Sequence, residues 1–274
     1  MLSVHDLPRP GATIRYWTGE PTGPTVLLLH GATLDHRAWL PQAEVLADRF
    51  HVVVPDLRAH GESTGRFDFA EAVQDVLALI DLLPARKVVL VGLSLGANIA
   101  QEVLHRIPER VQAVVVADAT CNTAPRSPWE VPMTVAALNA QAMATGDDFA
   151  RYAAEATAVD PDVQAYALEA NAHRSNHETV AILASLLSGG LRSEPAYRFP
   201  VPALLVHGDR DHIGDIATGT RTWAQREPLA EYAVIPAAGH ASNLDNPEVF
   251  TAVLEAFLDR VAGQGPRLEL EDAA

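Results

Sequence analysis

The sequence predicts an α/β protein: a mostly parallel, doubly wound sheet flanked by helices and interrupted by a helical insertion. Three observations predict it. Aliphatic runs with no polar alternation recur at 26–29, 52–54, 88–91, 111–116, 203–206 and 232–235, the pattern of strands covered on both faces. Between them, 39–48, 69–83, 95–106 and 247–261 carry apolar residues at helical spacing, so strand and helix alternate as a doubly wound sheet requires. From 122 to 197 the alternation stops. Ala-rich helical patterns at 135–143, 149–156, 163–171 and 179–187 follow one another without a strand.

In chain order, the run 26–29 leads into His30-Gly31, and 52–54 into Asp56-Leu57-Arg58-Ala59-His60-Gly61-Glu62-Ser63. The run 88–91 leads into Gly92-Leu93-Ser94-Leu95-Gly96 and then directly into a helix, and 111–116 ends near Asp118. The insertion is bracketed by Pro125, Pro128 and Pro132 before it, and by Gly189-Gly190, Pro195 and Pro200 after it, which are expected hinges. The run 203–206 leaves through His207-Gly208-Asp209-Arg210-Asp211, and 232–235 through Pro236-Ala237-Ala238-Gly239-His240 to the last helix. The expected division is a core of 1–121 with 198–264, a helical cap of 122–197, and a short acidic tail of 265–274.

Composition narrows the function. With 35 acidic against 20 basic residues, a net charge of −15 repels nucleic acid and anionic lipid, leaving small molecules as the expected partners. A single cysteine, Cys121, allows neither an internal disulfide nor a multi-cysteine zinc site. Residues 1–11 contain Asp6, Pro8 and Pro10 rather than an apolar export run, and no stretch reaches the ~20 apolar residues of a membrane span. A cytoplasmic location is the expectation.

Ser94 sits between a strand run and a helical run, in the setting of a nucleophile elbow: a tight turn that projects the hydroxyl, with small neighbours two residues to either side. A neutral hydroxyl attacks poorly, so a base must lie within hydrogen-bond reach and a third group must fix that base's tautomer. His240, in a Gly-containing loop after the last strand run, is the expected base. Asp209 and Asp211 both follow the preceding strand run as candidate acids, and Asp118 closes another.

These landmarks resemble the α/β-hydrolase superfamily over about 25–261, the insertion apart. The resemblance implies a Gly-x-x-Asp pattern at the acid, which selects Asp211, and an oxyanion hole of two backbone N–H groups, those of Ala32 and Leu95. It also implies a serine hydrolase without cofactor or metal, acting on a small carboxylic ester or lactone. Carbon–carbon hydrolysis, peracid formation and a non-catalytic ligand receptor are alternatives on the same residues. The stretch 118–124 is faintly similar to enol-lactone hydrolases.

The insertion is expected to line an apolar substrate pocket with Trp129, Met133, Leu138, Met143, Phe149 and Tyr152, together with His30. His30 and His60 are otherwise read as shapers of the loops they stand in. His173 and His177, four apart on an expected helix, lack a third metal ligand. Cys121 is read as an apolar filler.

Overall fold

The computed structural model describes residues 2–145 and 148–263. The first half runs β1 (Ser3–Arg9), β2 (Ala12–Thr18), β3 (Thr25–Leu29), a 3-10 turn (His36–Trp39) into α1 (Leu40–Leu46), β4 (His51–Pro55), α2 (Phe69–Leu82), β5 (Val88–Leu93), α3 (Leu95–Arg106) and β6 (Val111–Ala117). Four helices follow: α4 (Glu130–Thr145), α5 (Phe149–Thr157), α6 (Pro161–Asn171) and α7 (Asn176–Gly190). The chain then returns as β7 (Ala203–Gly208), α8 (Ile216–Arg226), β8 (Ala230–Ile235), α9 (Ser242–Asp245) and α10 (Pro247–Val261).

The strands form one sheet in the order β1-β2-β4-β3-β5-β6-β7-β8. The six aliphatic runs are the six parallel strands, β3 to β8, while β1 and β2 pair antiparallel with each other and β2 with β4. Side chains alternate between two cores. Leu27, Leu29, Leu90, Val114 and Leu205 pack on the side of Val76, Ile80, Ile99 and Val103, whereas Val26, Leu28, Val91, Val115 and Leu204 pack on the side of Trp39, Leu46, Phe250 and Phe257. Both faces are dry, so successive residues must both be apolar, and each large side chain so buried contributes roughly 1.5–3 kcal/mol.

Four elements, β1, β2, α8 and the four-residue α9, lie outside the sequence expectations. β1 and β2 are mostly exposed or half-buried and carry no aliphatic run, and α8 buries only Ile216, Thr220 and Trp223. Elements with one thin buried face leave a weak periodic signal. The expected hinges also move: Pro132 sits in the first turn of α4, where a missing N–H costs nothing, and Gly189-Gly190 close α7. A Cβ on Gly190 would stand 2.8 Å from Cζ of Phe69 on α2, so this glycine serves close helix packing. His173 lies in the turn before the Ser175 cap of α7 and His177 inside that helix, so the two do not share a helical face. The expected tail 265–274 lies outside the described residues.

Among the described residues no helix is long and apolar enough to cross a membrane. The parallel strands end together, and the loops after them (30–35, 56–61, 94, 118, 209–211 and 236–241) collect at one edge, where open α/β sheets bind ligands.

Candidate active site

Ser94 is the single residue between β5 and α3. Its backbone stands at φ 51°, ψ −116°, a conformation that costs a non-glycine residue about 1–3 kcal/mol. The turn closes only because its neighbours are bare: a Cβ on Gly92 would lie 2.4 Å from Ala97 Cα, and one on Gly96 would lie 2.1 Å from the Leu29 carbonyl oxygen. Backbone bonds from Ser94 N–H to Ala117 O (2.9 Å) and from Asn98 N–H to Ser94 O (3.0 Å) hold it. The four described non-glycine residues with positive φ are Ala59, Ser94, Asp118 and Ala237, all in loops at this edge. Strain is concentrated where the strands end.

Two other loops bring their side chains to the Ser94 hydroxyl. His240 Nε2 lies 2.8 Å from Ser94 Oγ, and His240 Nδ1 lies 2.9 Å from Asp211 Oδ2. Asp211 and His240 are each 7% exposed, and the other Asp211 oxygen accepts the Ile213 N–H at 2.9 Å. A carboxylate accepts only, so the ring donates from Nδ1 and offers its Nε2 lone pair to the serine O–H. Burial works against a charged ring, but the hydrogen bond and charge of Asp211, with Asp118 behind, hold the His240 pKa above its ordinary 6.5. Such a chain can take the serine proton and stabilise the imidazolium that results.

The rival acids are occupied elsewhere. Asp209 accepts the Ala238 N–H at 3.2 Å, pinning the loop that carries His240 instead of facing its ring. Asp118 accepts from Gly208 and Ser242. Sequence spacing identified both as carboxylates at strand ends, but only the fold shows which way each points.

The loop after β3 completes the edge. A Cβ on Gly31 would stand 3.6 Å from Ser94 Cβ, so Gly31-Ala32 adjoins the elbow. The expectation that His30 lines the pocket fails. Its side chain is fully buried, with Leu57 N–H donating to Nε2 (2.9 Å) and Nδ1 2.8 Å from Gly31 O. Since Leu57 N–H can only donate, the ring proton is on Nδ1, and burial keeps the ring neutral by holding its pKa down. His60, also fully buried, stands between the carbonyl oxygens of Ala32 (2.7 Å) and Arg58 (2.8 Å). Burial and the nearby Arg174 push its pKa well below 6.5, so its one N–H serves one of the two.

The inserted helices touch these loops through polar contacts the sequence does not announce. Tyr166 of α6 donates to Asp35 Oδ1 at 2.9 Å, Arg37 bridges Asp35 (2.8 Å) and Glu169 (2.8 Å), and Arg174 donates to Ala59 O at 2.9 Å. Beside the histidine loop, Asp245 accepts the N–H groups of Gly239 (2.6 Å), Val159 (2.9 Å) and Asp160 (2.9 Å). The expected pocket residues fare less well. Trp129, Met133, Met143 and Tyr152 are 75%, 67%, 85% and 48% exposed; Met133 and Met143 are on α4, which packs chiefly on α7 and α5, Trp129 lies just before α4, and Tyr152 is on α5. Leu138 is half-buried, and Phe149 is buried beside Tyr152.

Asp35, His36 and Asp56 bring potential metal-ligand atoms within 4.8 Å of one another. Those atoms are already engaged: Asp56 by His36 and by Glu62 N–H, Asp35 by Arg37 and Tyr166. The cluster serves the loops.

Comparison with known proteins identifies the family of this fold. Residues 24–247 match the alpha/beta hydrolase fold family. Over 250 residues the chain is 32% identical to a pimeloyl-[acyl-carrier protein] methyl ester esterase of Chromobacterium violaceum, covering 88% of this chain and 96% of that one. A 3-oxoadipate enol-lactonase 2 of Acinetobacter baylyi is 22% identical over 88% of this chain and 91% of its own. Among solved structures, a thermophilic esterase from Thermogutta terrifontis superposes with a TM-score of 0.79 at 27% identity, covering 95% of this chain and 99% of that one.

Proposed function

We propose, from the premise that this chain belongs to the alpha/beta hydrolase fold family, that it is an ester-bond hydrolase in which Ser94 attacks the carbonyl carbon of a small carboxylic ester or lactone. The single observation that carries this reading is the unbroken hydrogen-bonded chain Ser94–His240–Asp211, 2.8 and 2.9 Å long. His240 takes the serine proton as the C–O bond forms and returns it to the leaving alcohol oxygen. Water, deprotonated by the same ring, then cleaves the acyl-enzyme. Asp211 holds the ring's tautomer and stabilises its charge.

The developing oxyanion is received by the N–H groups of Ala32 and Leu95. Leu95 opens α3, so its N–H has no carbonyl four residues back. The Ala32 N–H belongs to the peptide whose carbonyl oxygen, that of Gly31, is held by His30 Nδ1. In a trans peptide the two groups point in opposite directions, so His30 aims the donor. Each donor of this kind lowers the barrier by roughly 2.7–4 kcal/mol. Residues 122–197 form the cap in this reading, with α6 fastened over the oxyanion loop and the substrate entering between cap and sheet edge.

The test is hydrolysis of p-nitrophenyl acetate and butyrate, with Ser94→Ala alongside and fluorophosphonate labelling of the wild type. Turnover with a labelled Ser94, both lost in Ser94→Ala, is expected. A wild-type protein that neither turns over nor labels would instead be a ligand receptor on a hydrolase scaffold.

A further inference from the structure

Asp118 takes no part in the proton path, yet its carboxylate is completely buried behind it. It follows β6 at φ 48°, with its N–H on Val206 O at 2.9 Å. Its two oxygens reach in two directions. Oδ1 accepts the N–H of Gly208 at 2.8 Å, three residues before Asp211. Oδ2 accepts the Ser242 O–H at 2.5 Å and, more weakly, the Ser242 N–H at 3.4 Å, two residues after His240.

One buried side chain thus grips both the segment that carries the acid and the segment that carries the base. Asp209 cannot substitute, since it holds Ala238 alone by a longer bond and is exposed. The groups that face Asp118 are His240 and Asp211 among titratable side chains, and the Gly208 and Ser242 donors. Burial pushes its carboxyl up to about 7, against the pull of His240, and Asp211 adds to the rise. A carboxyl that shifts so far from 3.8 is ionised over only part of the neutral range, and its charge acts on the His240 ring with both groups buried.

We infer that Asp118 is a positioning residue of the reaction, tying the Asp211 and His240 loops into register and adding its negative charge to that of Asp211 when the His240 ring takes up the serine proton. The inference rests on the proposed Ser94–His240–Asp211 chemistry. Two separable effects follow, one geometric through Gly208 and Ser242 and one electrostatic on His240.

The experiment compares wild type, Asp118→Asn and Ser242→Ala in p-nitrophenyl acetate hydrolysis from pH 5 to 9, with fluorophosphonate labelling of a separate sample of the wild type. Asn keeps the shape and one acceptor but removes the charge. It is expected to lower kcat by about 10–100-fold with KM changed by no more than about twofold, and to move the acidic limb of kcat/KM to lower pH by about half a unit or more. Ser242→Ala keeps the charge and loses one grip, so kcat falls by about 3–10-fold while the limb stays in place. An Asp118→Asn limb superposing on that of the wild type, or a loss confined to KM, would overturn the inference. If Asp118→Asn does not accumulate folded, Ser242→Ala decides, and an unchanged kcat there rejects it. Absence of labelling and turnover in the wild type would instead sink the underlying serine-hydrolase reading.

Discussion

His30 Nε2 accepts the backbone N–H of Leu57 at 2.9 Å, and this one bond determines the whole tautomer of a buried ring. The ring proton is left on Nδ1, aimed at Gly31 O, so a strand-end histidine with no access to substrate controls the direction in which Ala32 N–H points. His30→Ala is therefore expected to lower kcat and kcat/KM together by roughly 10–100-fold. It also strands the Leu57 N–H, at about 1–3 kcal/mol of stability. Steady-state kinetics and urea unfolding of the variant check both, and an unchanged kcat would remove His30 from the site.

The two neighbouring carboxylates after β7 give the sharpest contrast. Asp211→Asn should lower kcat by about 10⁴-fold, since an amide no longer enforces the productive His240 tautomer. Asp209→Asn should cost less than about tenfold, since Asp209 touches only Ala238 N–H. Parallel kcat measurements decide, and the opposite ranking would reassign the acid.

Activity should rise with pH. In the proposed reaction the base form of His240 accepts the serine proton, and Asp211 holds its pKa above 6.5. The acidic limb of kcat/KM is expected above that value, measured on an ester with no ionisable group near the reaction. A limb well below 6.5 would mean that the Asp211 hydrogen bond does not survive in solution.

The contact of Tyr166 with Asp35 predicts an effect at low pH. Burial raises the Asp35 carboxyl, but the side-chain and backbone bonds of Arg37 outweigh it, with help from Tyr166, and bring it to about 2. A carboxyl held below its unfolded value stabilises the fold above about pH 4 and loses that contribution as pH falls from there toward 2. Tyr166→Phe should shrink this acid-sensitive component and raise KM for bulky esters by loosening α6 over the 30–35 loop. Urea midpoints at pH 7 and pH 3 measure the first, ester kinetics the second. A variant with the same pH dependence and KM as wild type would show that the contact neither stabilises nor gates.

Much of the fold was legible because burial on both faces leaves a conspicuous trace. The six runs became the six parallel strands, and the helices at 95–106 and 247–261 have the bounds that the pattern indicated. β1, β2 and α8 escaped notice because each buries only one narrow face, so their polar sequences carry little periodic information. The apolar residues in and just before α4 misled in the opposite direction. Trp129, Met133 and Met143 suggested an enclosed pocket, yet hydropathy does not say which side of a helix has a neighbour.

By itself, the sequence determined the six buried strands, the alternation of helices between them and the tight turn at Ser94, because burial on both faces and local sterics dictate residue type there. Residue spacing left Asp209, Asp211 and Asp118 open and only the family resemblance favoured Asp211; the tertiary structure decided which carboxylate faces the ring, which two backbone groups His30 bonds, and that Asp118 joins two loops. Those outcomes depend on side-chain direction across contacts 27 to 124 residues apart in the chain, and no local pattern encodes a direction set by a distant partner.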